Sequence, residues 1–343
     1  MQNILNSNRC FLIAEIGVNH NGDIELAKDL ILAAKESGAD AVKFQTFKAE
    51  ILASQLTPKV QYQIDNTGSS ESHFQMLQKL ELSYEDHFFL KEYCDSLNIE
   101  FISTPYDIIS ATFLNEELDV SFFKTASADI VDIPLQEYIA STGKNAIVSV
   151  GMASLGEIEK VYEIYLKNNN KNLSLLHCVS NYPCSDKSLN LKVIRTLQHA
   201  FRLPIGYSDH CLGEIGAIVA IAFGAKIIEK HFTLDKNLPG PDHPASCTPE
   251  EFKNYSDSIR RAETMIGCSI KRCQPEEIEM SKVSRKSLHL SRDKNEGDKL
   301  NDDDFLMMRP GTGISFDKKE FLIGRILKRN LKKGHLIRFS DLL

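Results

Sequence analysis

The sequence predicts an α/β protein, a (β/α)8 TIM barrel followed by a small β-rich domain. Three observations carry this prediction. From residue 11 to about residue 266, eight short apolar runs alternate with amphipathic helical patterns, as parallel strand–helix units do. No G-x-G-x-x-G follows any of these runs, which disfavours an open doubly wound sheet. After residue 284 the pattern changes to a short stretch that repeats itself.

In chain order, the predicted strands are FLIAEIG from Phe11, AVKFQT from Ala41, IEFISTP from Ile99, FFKTASAD from Phe122, AIVSVG from Ala146, LSLLHCV from Leu173, LPIGYSD from Leu203 and KIIEKHFT from Lys226. Each holds β-branched or aromatic residues, and turn formers bound most of them. IELAKDLILAAKESG, YEDHFFLKEYCDSL, GEIEKVYEIYLKN and GEIGAIVAIAFG are helical patterns between them. KESGAD and AFGAK place a glycine just past a helix, where a left-handed cap is needed. The domains are then a barrel over 1–266, a polar linker over 267–284 and a tail over 285–343. Within the tail, SRDKNEGDKLNDDDF and KRNLKKGHLIRFSDL align at an offset of 37. The alignment pairs Arg292 with Arg329, Gly297 with Gly334 and Asp304 with Asp341, which predicts a pseudo-symmetric unit.

Composition narrows the function. The chain has 343 residues, 42% of them hydrophobic and 25% charged, enough for a large core. A net charge of -7 argues against nucleic-acid binding. The N-terminal stretch lacks the pattern of a signal peptide, and IGAIVAIAFGAKII is too short to span a bilayer. Eight cysteines without a C-x-x-C pair fit a reducing cytoplasm.

In a barrel of this kind the strand C-termini face the active-site mouth. The polar residues there suggest three chemistries. His210 and His231 end consecutive strands about 4.8 Å apart, so two imidazoles can share a divalent cation; manganese, cobalt or zinc suits them better than magnesium. Lys43 and Lys124 lie among apolar neighbours with Ser127, Ser149 and Ser208 at hand, an anion pocket for phosphate or carboxylate. A salt bridge to Glu15 or Asp129 is the bland alternative. Glu15, Asp129 and Asp242 bring carboxylates to the same mouth for hydroxyls, protons or the metal.

Taken together, AEIGVNHNGD, AVKFQTFKAE, FISTPYD, FKTASAD, GYSDH, IEKHFTLDKNLPGPDH and MMRPGTGIS resemble the sialic acid synthase family over nearly the whole chain, with a tail that looks like its antifreeze-like (SAF) domain. The resemblance implies condensation of phosphoenolpyruvate with N-acetylmannosamine and water, with C–O cleavage releasing phosphate. It makes His210 and His231 ligands of a divalent metal, manganese first and cobalt or magnesium next. It puts phosphoenolpyruvate on Lys43, Thr104, Lys124, Ser127, Ser149 and Ser208. The sugar falls to Glu15, Gln45, Tyr182 and Asp242, with Tyr62 or Asn66 of YQIDNTG beside them, and to Arg309 from the partner subunit of a domain-swapped homodimer. Asp129 stands where many relatives have Glu, and Ser180 where some have Asn. The alternative sugar is a 2,4-diacetamido-2,4,6-trideoxy-mannose, giving N,N'-diacetyllegionaminic acid; a pseudaminic product ranks third. Rival readings are a Schiff-base aldolase using Lys124 or Lys230, and a sugar-binding protein without activity.

Overall fold

The computed structural model describes residues 9–68 and 71–343. Eight parallel strands close into a barrel in sequence order: β1 Phe11–Gly17, β2 Ala41–Thr46, β3 Glu100–Pro105, β4 Phe122–Thr125, β5 Asn145–Ser149, β6 Leu173–Cys178, β7 Ile205–Asp209 and β8 Ile227–His231. The ring closes between β1 and β8, where Glu15 stands opposite His231.

Strand alternation sorts the side chains. Ile13, Ala41, Ile102, Phe122, Ile147, Leu176 and Ile227 meet inside the barrel as its apolar floor. Gly206 occupies β7 at this level because a Cβ there would collide with the Ile227 carbonyl and the Leu176 side chain. The alternate residues, such as Val42, Phe44, Phe123, Val148, Tyr207 and Ile228, join the outer core beneath the helices. The helices start where the sequence supplies caps. Asp23 accepts from the amides of Glu25 and Leu26, and Ser83, Ser154 and Thr248 each form a capping box. Each such cap is worth about 1 kcal/mol.

Two features differ from the sequence expectation. The fourth strand ends at Thr125, and Ser127–Val131 turns into a 3-10 helix instead of extending the strand to Asp129. Between β2 and β3 the chain adds three short helices, Ala49–Leu52, Gln61–Thr67 and His73–Lys79, before Tyr84–Ser96. Their own apolar cluster includes Val18, Phe47, Met76, Leu77 and Leu80. Too few consecutive apolar positions occur in these segments for periodicity to reveal them.

The chain divides into two compact units, Met1–Gly267 and Cys268–Leu343. In the second, β9 Ser287–Leu290 pairs antiparallel with β10 Phe305–Met308. Leu288, Leu290, Leu300, Leu327, Ile337 and other aliphatic residues form its core. The internal echo has a physical meaning. Asp304 is buried under Arg292 at 2.5 Å, Lys294 at 2.8 Å and the Asn301 amide at 2.8 Å. Asp341 is buried under Arg329 at 2.6 Å, His335 at 3.0 Å and the Arg338 amide at 3.0 Å. Gly297 and Gly334 both turn the chain with positive φ, at 84° and 81°.

Burial works against both carboxylates, but their donors outweigh it and hold them below the ordinary aspartate range. A depressed carboxyl stabilises the fold above its unfolded pKa of about 3.9 and loses that contribution as pH falls through the folded value. The C-terminal unit should therefore weaken as pH drops below about 4, and Asp341→Asn should remove roughly 2–3 kcal/mol at neutral pH. Amide exchange within residues 285–343 measures both effects. Equal protection in the variant and the parent at pH 7 would refute the assignment.

Candidate active site

Above the apolar floor, the next inward residues are charged or polar. Glu15, Lys43, Lys124, Ser149, Cys178, Ser208 and Glu229 line a cavity of about 380 Å3 at the C-terminal ends of the strands. The two lysines are buried, at 4% and 2% exposure. Lys43 reaches Glu15 at 2.7 Å and Glu229 at 3.9 Å, and also donates to Thr104 at 3.1 Å. Lys124 reaches Glu229 at 3.8 Å and donates to Ser149 at 2.6 Å and the Thr125 carbonyl at 2.9 Å.

Burial disfavours every charge in this group, so neighbours decide each state. Burial lowers Lys43, but Glu15 and Glu229 outweigh it and hold its pKa above the usual lysine value. Burial lowers Lys124, and Glu229 offsets this only in part. Burial raises Glu15 above the usual carboxylate range despite Lys43. Burial also opposes the Glu229 charge, yet Lys124, Lys43 and the Ser208 hydroxyl together keep it below that range. Glu229 is thus the carboxylate between two ammonium groups. An incoming anion would compete with it for both.

The imidazoles stand over this group. His210 and His231 have ring centroids 5.6 Å apart at an interplanar angle of 61°. Burial lowers both pKa values below the ordinary histidine range, so both rings are neutral near pH 7. His210 Nδ1 lies 2.7 Å from the Val179 carbonyl and must donate to it, which leaves a lone pair on Nε2. Ser208 spends its single proton on Glu229 at 2.9 Å, so that lone pair goes unclaimed. His231 Nδ1 is buried without a hydrogen-bond partner among the described residues. The nearest carboxylate is Asp242, at 4.0 Å, which burial raises to about 6. Two neutral nitrogens with open lone pairs fit a borderline divalent cation completed by water or substrate oxygens. Among the described residues, no group of three or more His, Cys, Asp and Glu side chains could hold a metal by itself.

Tyr182 packs on both imidazoles, 4.1 Å from the His210 ring and 5.2 Å from that of His231, and Tyr62 lies 5.6 Å from Tyr182. Gln45, Ser127, Ser180, Tyr62, Tyr182 and Asp242 all line the cavity. Gln45 donates to Glu15 at 3.2 Å, and Ser127 accepts from the Gly151 amide at 3.0 Å. A side chain at Gly151 would crowd Cys178, Ser180 and Ser127, so glycine keeps this wall open.

Other expected residues fall elsewhere. Asp129 is not among the lining residues, because the 3-10 turn carries it away from the strand end. Burial, followed by Asp132, raises it to about 7. Thr104 sits behind Lys43, and Asn66 gives its amide to the Pro241 carbonyl at 2.6 Å. Arg309 belongs to the C-terminal unit, where its Nε donates to the Ser284 carbonyl at 2.9 Å. Lys230 does not face the mouth. It pairs with Asp209 at 3.1 Å on the helix side of the sheet and lies over the Tyr255 ring, which removes it as a Schiff-base lysine.

Glu229 escaped the sequence reading, although it lies two residues before His231 and so shares its face of the strand. Among the described residues, no helix is long and apolar enough to cross a membrane. All eight cysteines are free thiols.

Residues 30–271 match the NeuB family, and residues 285–343 match the SAF domain. The chain is 47% identical to the N,N'-diacetyllegionaminic acid synthase of Legionella pneumophila, over 95% of this chain and 92% of that one. It is 43% identical to the N,N'-diacetyllegionaminic acid synthase of Campylobacter jejuni, over 96% and 99%. Among solved structures, the N-acetylneuraminic acid (sialic acid) synthetase of Leptospira borgpetersenii in complex with citrate superposes with a TM-score of 0.71 at 35% identity, covering 80% of this chain and 91% of that one. The chain is an enzyme of the NeuB family whose barrel is followed by a SAF domain.

Proposed function

We propose that the enzyme condenses phosphoenolpyruvate with 2,4-diacetamido-2,4,6-trideoxy-mannose and water, giving N,N'-diacetyllegionaminic acid and phosphate. This sugar replaces N-acetylmannosamine, which the sequence alone put first, because the two legionaminic relatives resemble the chain over nearly its full length. The observation that carries the reaction is the single cavity that presents two buried lysines and two neutral imidazoles together.

Lys43 and Lys124 would hold the phosphate and carboxylate of phosphoenolpyruvate, taking over the role that Glu15 and Glu229 now play for them. Ser127, Ser149 and Ser208 offer hydroxyls to the remaining oxygens, with Thr104 bracing Lys43. His210 and His231 would hold a divalent cation, manganese first and cobalt or magnesium in its place, which when bound supplies Lewis-acid polarisation of the sugar aldehyde. The enol π pair of phosphoenolpyruvate forms the bond from its methylene carbon to the aldehyde carbon, and the aldehyde π pair passes to its oxygen, which takes up a proton. Water adds at the electron-deficient C2. The tetrahedral product then loses phosphate by C–O cleavage. Glu15, with its raised pKa and its place beside Lys43, is the group that takes the proton from that water. Gln45, Tyr182 and Asp242 orient the sugar, and confinement of both reactants supplies much of the acceleration. The reading includes a cytoplasmic, domain-swapped homodimer in which Arg309 of the partner subunit completes the sugar site.

Incubation with each sugar in 18O-labelled water tests the proposal by product mass. The expected result is a higher kcat/KM with the diacetamido sugar, one heavy oxygen at product C2 and none in phosphate. Label in phosphate would reject C–O cleavage. A preference for N-acetylmannosamine would return the assignment to a sialic acid synthase.

A further inference from the structure

We propose that the arm of the cavity built by the β2–β3 insertion is the subsite for the sugar's second acetamido group, with His73 supplying its polar contact. The inference rests on the reaction proposed above and names the part of the chain that selects the acceptor.

The two ends of the cavity differ in chemistry. One end holds the lysine–carboxylate group. The other comes from the insertion, where Leu52, Ala53, Met76, Leu77 and Leu80 form apolar walls beside Thr57, Tyr62 and Gln63. Within that apolar arm lies His73, whose Nδ1 is buried and has no hydrogen-bond partner among the described residues. Burial, and then the nearby Lys59 charge, lower the His73 pKa, so the ring is neutral and its nitrogens can either accept or donate. An apolar wall that holds a buried, unpartnered ring nitrogen matches an acetamido group, which pairs a methyl with an amide. A hydroxyl would leave the wall unfilled, and a bare methyl would leave the nitrogen unpaired.

Position distinguishes the two acetamido groups of the sugar. Tyr182 packs on both imidazoles and touches Tyr62, which belongs to the insertion helix Gln61–Thr67. The imidazoles therefore meet the insertion through these two rings. With the aldehyde carbon C1 at the imidazoles, a substituent on C2 stays beside them. A substituent on C4 lies two bonds further along and reaches past the rings to the arm. At C4, N-acetylmannosamine carries only a hydroxyl.

The test is kcat/KM for both acceptors, followed by phosphate release, in the parent enzyme, in His73→Phe and in Leu77→Asn. His73→Phe should lower the ratio of diacetamido sugar to N-acetylmannosamine about tenfold or more, because a site that has lost its amide partner no longer favours the amide-bearing sugar. The KM for phosphoenolpyruvate should keep its parental value. Equal losses for both acceptors, or an unmoved ratio, would overturn the inference while the reaction stands. Leu77→Asn is judged by the same ratio and serves if His73→Phe does not fold. If the parent releases phosphate with neither sugar, the reaction fails and the inference fails with it.

Discussion

Replacing His231 with alanine should reduce turnover at least about a thousandfold while the barrel stays folded, since the proposed cation site would lose one of its two imidazoles. The structure explains why stability should survive. His231 makes no close ion pair, its nearest carboxylate lying 4.0 Å away, and its Nδ1 has no hydrogen-bond partner among the described residues. The side chain therefore contributes little to folding beyond its ring contacts with Tyr182 and His210. Phosphate release, read beside circular dichroism and thermal unfolding, measures both halves of the expectation. A parallel measurement of manganese affinity by calorimetry should show loss of binding. Retained affinity would locate the cation elsewhere, and full activity after chelation would remove it from the mechanism.

Lys124→Met is expected to weaken phosphoenolpyruvate binding by about 2–5 kcal/mol, roughly thirtyfold to several thousandfold. Methionine keeps most of the buried volume and removes the charge together with the hydrogen bonds to Ser149 and the Thr125 carbonyl. Glu229 would keep Lys43 at 3.9 Å and the Ser208 hydroxyl at 2.9 Å, so the carboxylate is not left bare. The loss should appear in the affinity for phosphoenolpyruvate more than in the affinity for the sugar. Isothermal titration with each substrate separates the two. If phosphoenolpyruvate bound the variant as tightly as the parent, Lys124 would be only a structural partner of Glu229.

The comparison of sequence with structure turns on the pleat of the strands. The sequence located the mouth of the barrel through eight strand ends, and the pleat then sends neighbouring residues there to opposite faces. Ser103 beside Thr104, Asp209 beside His210 and Lys230 beside His231 cannot share one face. Ser103 bonds to Thr46, and Asp209 binds Lys230 and Tyr255 behind the sheet. His177 stacks on Tyr207 in the outer layer, while Cys178 faces the cavity. Strict counting from His231 would have recovered Glu229. The same count could not have placed Asp129, because its position depends on where β4 stops.

By itself, the sequence determined the barrel, the two-part tail and the chemical types gathered at the mouth. Those features depend on local periodicity, turn residues and short spacings that the chain carries in linear order. Only the tertiary structure decided which charges compensate one another, which polar residues look inward and how the insertion after β2 shapes the far end of the cavity. These depend on the closing of β8 against β1 and on contacts between segments distant in sequence, where burial strengthens each electrostatic choice and no local pattern records the partner.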